Sequence, residues 1–469
     1  MTGASNGRAP GRPAARVLAD WTAGLRWADV PAAQHRLIGL RVLDTLGLIL
    51  AGSSTDAAAA VRHIAGRQGV SGEAGILAEG GRAAAAWAVF VHGVTAHCRD
   101  FDDTFQDSVV HPGSVVVPTA LAAGESCGAN DTDIAAAIVA GYEVAARLGS
   151  VAGRRFHVRG LHATGVVGPF AAAAAAGRLM GLDGAAIANA FGLAGSMAGG
   201  LMAFVADGSW SKWLHAGWAA HGGIVAAQMA AQGFRGPAGV LDGRHNLYSA
   251  LLDGEDIAPA DPAEIGTETL TGGLGADWRG AEAHFKYYPC AHVIQPYLDA
   301  AIDLRREHGL GAGDIAGGVC RIAPWAAQIV CEPRADKLRP DSEMAAIASL
   351  PYLLAVALTD GAATLDALDA ASRNDPAILD LARRLTHKDD PALGQGFDGV
   401  LILDLGDGSR LERPVSSAPP DPDKVLGKFR ANAGRATDAE LPQALERAVL
   451  GDPLPDFARL FALFGSVSV

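Results

Sequence analysis

Six consecutive alanines at positions 171–176 close a stretch, beginning at residue 166, that carries no charged side chain. A helix built on such a stretch has almost no side-chain bulk, so neighbouring helices can pack close against it. The habit is general: the chain holds 59 glycines and is 49% apolar and 19% charged. Closely packed helices around a sizeable core suit that composition, and global disorder does not. Residues 166–176 are too few to span a bilayer, and Arg178 follows them, so no membrane insertion is expected.

A net charge of −13 with pI ≈ 5.5 argues against a nucleic-acid partner, which calls for a basic face. An anionic ligand is still admissible. Surface charge is screened over roughly 8 Å at physiological salt, so a buried basic pocket acts locally. The five cysteines, at 98, 127, 290, 320 and 331, have no C-x-x-C spacing and are odd in number. That points to a reducing compartment rather than a disulfide framework or zinc knuckle. The opening MTGASNGRAPGRPAAR lacks an apolar core. It reads as a flexible tail over residues 1–15, not a signal peptide, and a cytoplasmic location is expected.

The 469 residues allow two or three domains. Residues 1–270 read as a helical domain. Asp29 and Pro31 look like the cap and first-turn proline of a helix through Leu37, Leu40, Leu43 and Leu46. Asn130 and Asp133 open another, with Ile134, Ile138 and Tyr142 at helical spacing. From 271 to 410 the texture becomes α+β. Residues 317–322 read as a strand, 400–405 and 410–415 as a hairpin turned by Gly406-Asp407-Gly408, and 344–358 and 378–385 as helices. Residues 411–469 read as a C-terminal segment, with helices over 424–432 and 441–450, that packs back on the helical domain. The fold class expected is mainly α with a second α+β domain.

Four segments concentrate chemistry. The first runs HGVTAHCRDFDDT from His92 to Thr104 and closes on His111-Pro112-Gly113. Burying its carboxylates is costly unless they are paired or hydrogen-bonded. Asp102 and Asp103 read as helix caps or acceptors of backbone N–H groups. His92 and His97 fall on different helix faces, which weakens a metal reading, and no H-E-x-x-H pattern occurs. His111, at a turn, is a ligand-facing candidate. The second segment, Arg159 to Gly165, sets His162 just before a helix start, where an anion is favoured. His162 is a candidate general base; a surface-loop histidine is the plain alternative. In the third, DGSWSKWLH from Asp207 to His215, Lys212 lies between two tryptophans. A desolvated lysine needs an anionic partner or a lowered pKa, unless its stem merely covers tryptophan surface. The fourth, FKYYPCAH from Phe285 to His292, gathers Lys286, Cys290 and His292 near a domain boundary, where clefts commonly hold ligands. Cys290 is a weak candidate nucleophile. No phosphate-binding glycine loop occurs, so neither NAD nor ATP is implied.

In this order, and with LAGSMAGGLMAF, GFRGPAGVLDG and PPDPDKVLGKF, the segments resemble the MmgE/PrpD family of cofactor-independent dehydratases, decarboxylases and epimerases. The resemblance implies a large helical domain drawn from both chain ends, a smaller α+β lid, a homodimer, and a metal-free site between the domains. By motif match it implies His162, His111, Lys212 and Lys286 as catalytic residues, and Asp100, Thr104 and His292 as substrate-binding ones. The implied reaction is proton abstraction beside a carboxylate of a small di- or tricarboxylate, through an enolate-like species. Dehydration or decarboxylation is the main expectation. Epimerisation of an amino- or imino-dicarboxylate such as iminodisuccinate is the alternative, and a non-catalytic carboxylate binder is the rival from another class. Phe105-Gln106-Asp107-Ser108 stands where 2-methylcitrate dehydratases carry a longer tryptophan-containing insertion, which points away from methylcitrate.

Overall fold

The computed structural model describes residues 12–68, 72–78, 81–252, 267–394, 396–417, 419–435, 440–451 and 454–464. Of the stretch read as a tail, residues 1–11 lie outside these. Ala14 and Ala15 open the Ala14–Gly24 helix and are fully buried.

The main helices of the body are α1 (Ala32–Gly52), α2 (Ala85–His97), α3 (Gly113–Cys127), α4 (Asp131–Ala152), α5 (Ala163–Leu179) and α6 (Ser211–Ala231). The alanine run lies in α5, which is buried from Ala163 through Gly177. Both α5 and α2 pack along α6, and small residues set the distance. A β-carbon on Gly217 of α6 would stand 2.5 Å from the Phe90 carbonyl oxygen of α2. One on Gly223 would stand 2.3 Å from the Ala172 Cβ of α5. Asn130 caps α4 by accepting from the Asp133 N–H at 2.9 Å, as its sequence predicts. Asp29 does not cap α1. It closes a separate 3-10 turn, Trp27–Asp29, against Arg26, and α1 begins after Pro31. Among the described residues α4 has the length and apolarity to cross a membrane, but most of it is buried inside the body.

A small hairpin, β1 (Ala74–Ile76) with β2 (Gly81–Ala83), lies against α2 and α3. The lid is built on a four-stranded sheet ordered β4-β3-β5-β6. In it β3 (Ile315–Ile322) pairs parallel with β4 (Leu385–Asp389) and antiparallel with β5 (Gly399–Leu405), which turns back into β6 (Arg410–Val415). The expected hairpin forms, and it carries the sheet to Val415. β4 was not legible because it follows the Pro376–Arg384 helix with no turn residue between them. The helical stretch read over 344–358 is two helices, separated where Ser349 caps Leu350–Asp360. The C-terminal segment returns to the body. Asp421 caps α7 (Pro422–Ala433), which packs on α1, and the Glu440–Val449 helix also reaches α1. The architecture is thus mainly α with an α+β part, the class its sequence predicts.

Candidate active site

α2 ends at His97, and the chain then turns through a loop in which Asp100, Asp102 and Asp103 are all buried. Asp100 holds a left-handed backbone, φ 48°, a conformation that L residues other than asparagine and aspartate rarely adopt. That turn aims its carboxylate between two lysines from distant segments. Lys212, in the first turn of α6, stands 2.5 Å from Oδ2, and Lys286 stands 2.9 Å from Oδ1. Lys286 also donates to the Asp100 carbonyl at 2.8 Å. Burial alone would raise the Asp100 pKa, but Lys212 and Lys286 outweigh it and hold the carboxyl well below its usual range. Burial lowers the Lys212 pKa, with Asp100 opposing. Lys212 is therefore not a snorkelling lysine, since its charged end lies in a buried ion pair.

The two neighbouring aspartates divide their work. Asp103 behaves as a cap: it accepts from the Gly113 N–H at 2.7 Å, in the first turn of α3, and from the Tyr142 hydroxyl at 2.6 Å. Asp102 departs from the capping expectation and serves imidazoles instead. It lies 2.9 Å from His97 Nδ1 and 3.6 Å from His111 Nδ1. His111 Nδ1 also lies 3.0 Å from the Thr104 hydroxyl and 3.1 Å from the Asp103 carbonyl. A carbonyl can only accept, so that nitrogen carries the proton and Nε2 is bare. Burial pulls the His111 pKa down to about 3, with Asp102 opposing.

His162 precedes α5 as its N-cap residue and is buried, which disposes of the surface-loop alternative. Its ring stacks on His97, 5.5 Å between centroids, and stands 6.0 Å from His111. His162 Nδ1 contacts His215 Nδ1 at 3.2 Å, and its Nε2 is buried without a hydrogen-bond partner among the described residues. Burial holds the His162 pKa well below that of free histidine, with His97 and Lys212 adding to the effect.

The Phe285–His292 segment is stitched to the acidic loop by two 2.9 Å backbone bonds between Thr104 and His284. His292 is buried at the start of the 3-10 turn His292–Ile294, and its ring contacts His284 and Phe397. Cys290 does not have a nucleophile's surroundings. Burial raises its thiol pKa, and its sulfur accepts from Gln295 at 3.0 Å. The structure thus brings Asp100, Thr104, His111, His162, Lys212 and Lys286 together, with His292 beside them.

Sequence reasoning missed His97, Asp102 and His215 as members of the cluster. His92, paired with His97 in the metal reading, goes elsewhere and accepts from the Leu77 N–H at 2.9 Å. His97, Asp102 and His111 offer ligand atoms within 4.8 Å of one another, close enough to share a cation. Both Nδ1 atoms are already engaged by oxygen atoms.

A large helical part and a smaller α+β part, with buried imidazoles beside a lysine-bridged carboxylate, define the class of two-part protein to which this chain is compared. The chain belongs to the MmgE/PrpD family: the MmgE/PrpD N-terminal domain matches residues 16–260 and the MmgE/PrpD C-terminal domain residues 288–450. It is similar to cis-aconitate decarboxylase of Aspergillus terreus, at 27% identity over 78% of each chain. It resembles a cis-aconitate decarboxylase-like protein of Aspergillus oryzae at 26%, over 95% of this chain and 96% of the other. Human cis-aconitate decarboxylase is 28% identical over 87% of this chain and 85% of its own.

Proposed function

We propose that this chain is a lyase of small di- or tricarboxylates that moves a proton at a carbon beside a carboxylate, using side chains alone. Decarboxylation is the first reaction to test and dehydration the second. The observation that carries the reading is the buried His162–His215 contact beside the Lys212–Asp100–Lys286 bridge. With the shared proton on His162 Nδ1, Nε2 is bare and can accept. With it on His215, His162 Nε2 carries a proton and can donate. One pair thus serves proton removal or delivery, as general acid–base catalysis requires.

Burial keeps His162 neutral in the free site. A carboxylate brought beside it raises its proton affinity, because opposite charge favours the imidazolium. In decarboxylation the C–C bond breaks, CO₂ leaves, and the electron pair spreads toward a second carboxylate. The Lys212 and Lys286 ammonium groups stabilise that charge, and a proton from His162 forms the new C–H bond. The names of the similar proteins support cis-aconitate as the first acid to try. A second reading is favoured by His111: its bare Nε2, with the ring 6.0 Å from His162, suits a two-base epimerase of an amino- or imino-dicarboxylate.

The test is a panel of acids followed by NMR: cis-aconitate, hydroxytricarboxylates, four- and five-carbon dicarboxylates and iminodisuccinate. Loss of CO₂ or water from one acid is the expected result. Inversion without loss promotes the epimerase. Binding with no change in any acid contradicts the proposal and leaves a carboxylate binder.

A further inference from the structure

At the rim of the histidine cluster an open depression is lined by Gln106, Asp107 and Arg154 of the body and by Gly396 and Phe397 of the lid. Arg154 is its only cationic side chain. The guanidinium lies 3.9 Å over the Trp325 ring and 5.3 Å from the Phe397 ring, so two aromatic faces fix its plane. Nη2 donates to the Gln106 carbonyl at 3.2 Å. Nη1 is buried and has no hydrogen-bond partner among the described residues. A buried donor without a partner is costly, and an incoming carboxylate would offset that cost.

Three links place the depression near the proton-transfer groups. Gln106 is two residues from Thr104 in the acidic loop. Phe397 packs 5.1 Å from His292. His157, edge-on to His162 at 5.9 Å, has its pKa lowered to about 4 by burial and by the charges of Lys212 and Arg154. Lys212 and Lys286, bridged by Asp100, serve the carboxylate that takes up the developing charge, so a third carboxylate needs a further cation.

We propose that Arg154 forms a second carboxylate subsite that holds the non-reacting carboxylate of a polycarboxylate and sets the preference for three carboxylates over two. The subsite deepens the lyase reading and rests on it. The aromatic faces hold the guanidinium plane, and its planar fork matches a carboxylate.

Calorimetric titration with two unreactive probes tests this: tricarballylate, with three carboxylates, and glutarate, with two. The wild type binds tricarballylate more tightly. Arg154→Gln weakens tricarballylate by ~10–100-fold and leaves glutarate within about twofold, the scale of one charge-assisted hydrogen bond. Arg154→Lys keeps part of the preference, and it decides the matter if the glutamine variant folds poorly. A wild type without preference, a preference intact in Arg154→Gln, or equal losses for both acids would each overturn the proposal. Neither probe has to react, so failure of the lyase reading shows in the acid panel and not here.

Discussion

Buried imidazoles dominate the site at the scale of single residues, and they have a cost in acid. Burial first, then neighbouring cations, holds His162 and His292 well below free histidine and brings His111 to about 3 and His157 and His215 to about 4. A histidine of lowered folded-state pKa binds fewer protons folded than unfolded between that value and about 6.5. Stability from these groups is therefore complete above pH 6.5 and is lost as pH falls through that window. His92 adds to them, brought to about 4 by burial, while Asp44, raised to about 6, and Asp103, also raised by burial, oppose them. The melting temperature is expected to fall between pH 7 and pH 5 in calorimetric scans. A melting temperature that holds or rises over that range contradicts the neutral, buried histidines. The sequence marks His111 and His162 by turns, Lys212 by flanking tryptophans and Lys286 by its place near a domain boundary, while Asp100 stands out only through the family resemblance. The sequence could not show that His162 is desolvated, which takes its pKa well below the ordinary histidine value near 6.5. Nor could it show His97 and Asp102 as partners, because only the loop's path folds one onto the other.

Elements far apart in the chain hold the acidic loop in place. Lys428 of α7 donates to the Phe101 carbonyl at 2.6 Å, lies 4.0 Å over the Phe101 ring and pairs with Asp44 of α1 at 2.6 Å. It therefore grips the loop between Asp100 and Asp102. Lys428 is a positioning residue, and Lys428→Met is expected to lower kcat about tenfold with KM little changed, the loss of a charged hydrogen bond acting through geometry. Adding Asp44→Asn removes the unpaired carboxyl and is expected to recover melting temperature but not kcat. A single variant with wild-type kcat, or a double variant that recovers it, contradicts this role. The sequence placed a helix over 424–432 and returned it to the body, yet Lys428 looked like any charged helix residue. Its burial depends on α1, some 380 positions earlier in the chain. The Thr104–His284 bridge was hidden for the same reason, being two hydrogen bonds between segments with no strand pattern.

On the scale of the whole molecule, the composition is explained by how closely α6 approaches α2 and α5. Alanine and glycine at those crossings let helices carrying His97, His162 and Lys212 meet around one point. The two-part architecture was legible from periodicity and turn chemistry, while β4 and the split at Ser349 were decided by tertiary pairing and capping that periodicity does not record. The role proposed for this assembly is to move a proton at a carbon beside a carboxylate through His162. The most direct measurement is NMR of the turned-over acid, cis-aconitate first, incubated in D₂O with wild type and with His162→Gln. The product from the wild type is expected to carry solvent deuterium at that carbon. The variant is expected to bind the acid but turn it over ~10²–10⁴-fold more slowly, the usual loss with a general acid–base. A product free of deuterium, or a variant as fast as the wild type, would contradict it.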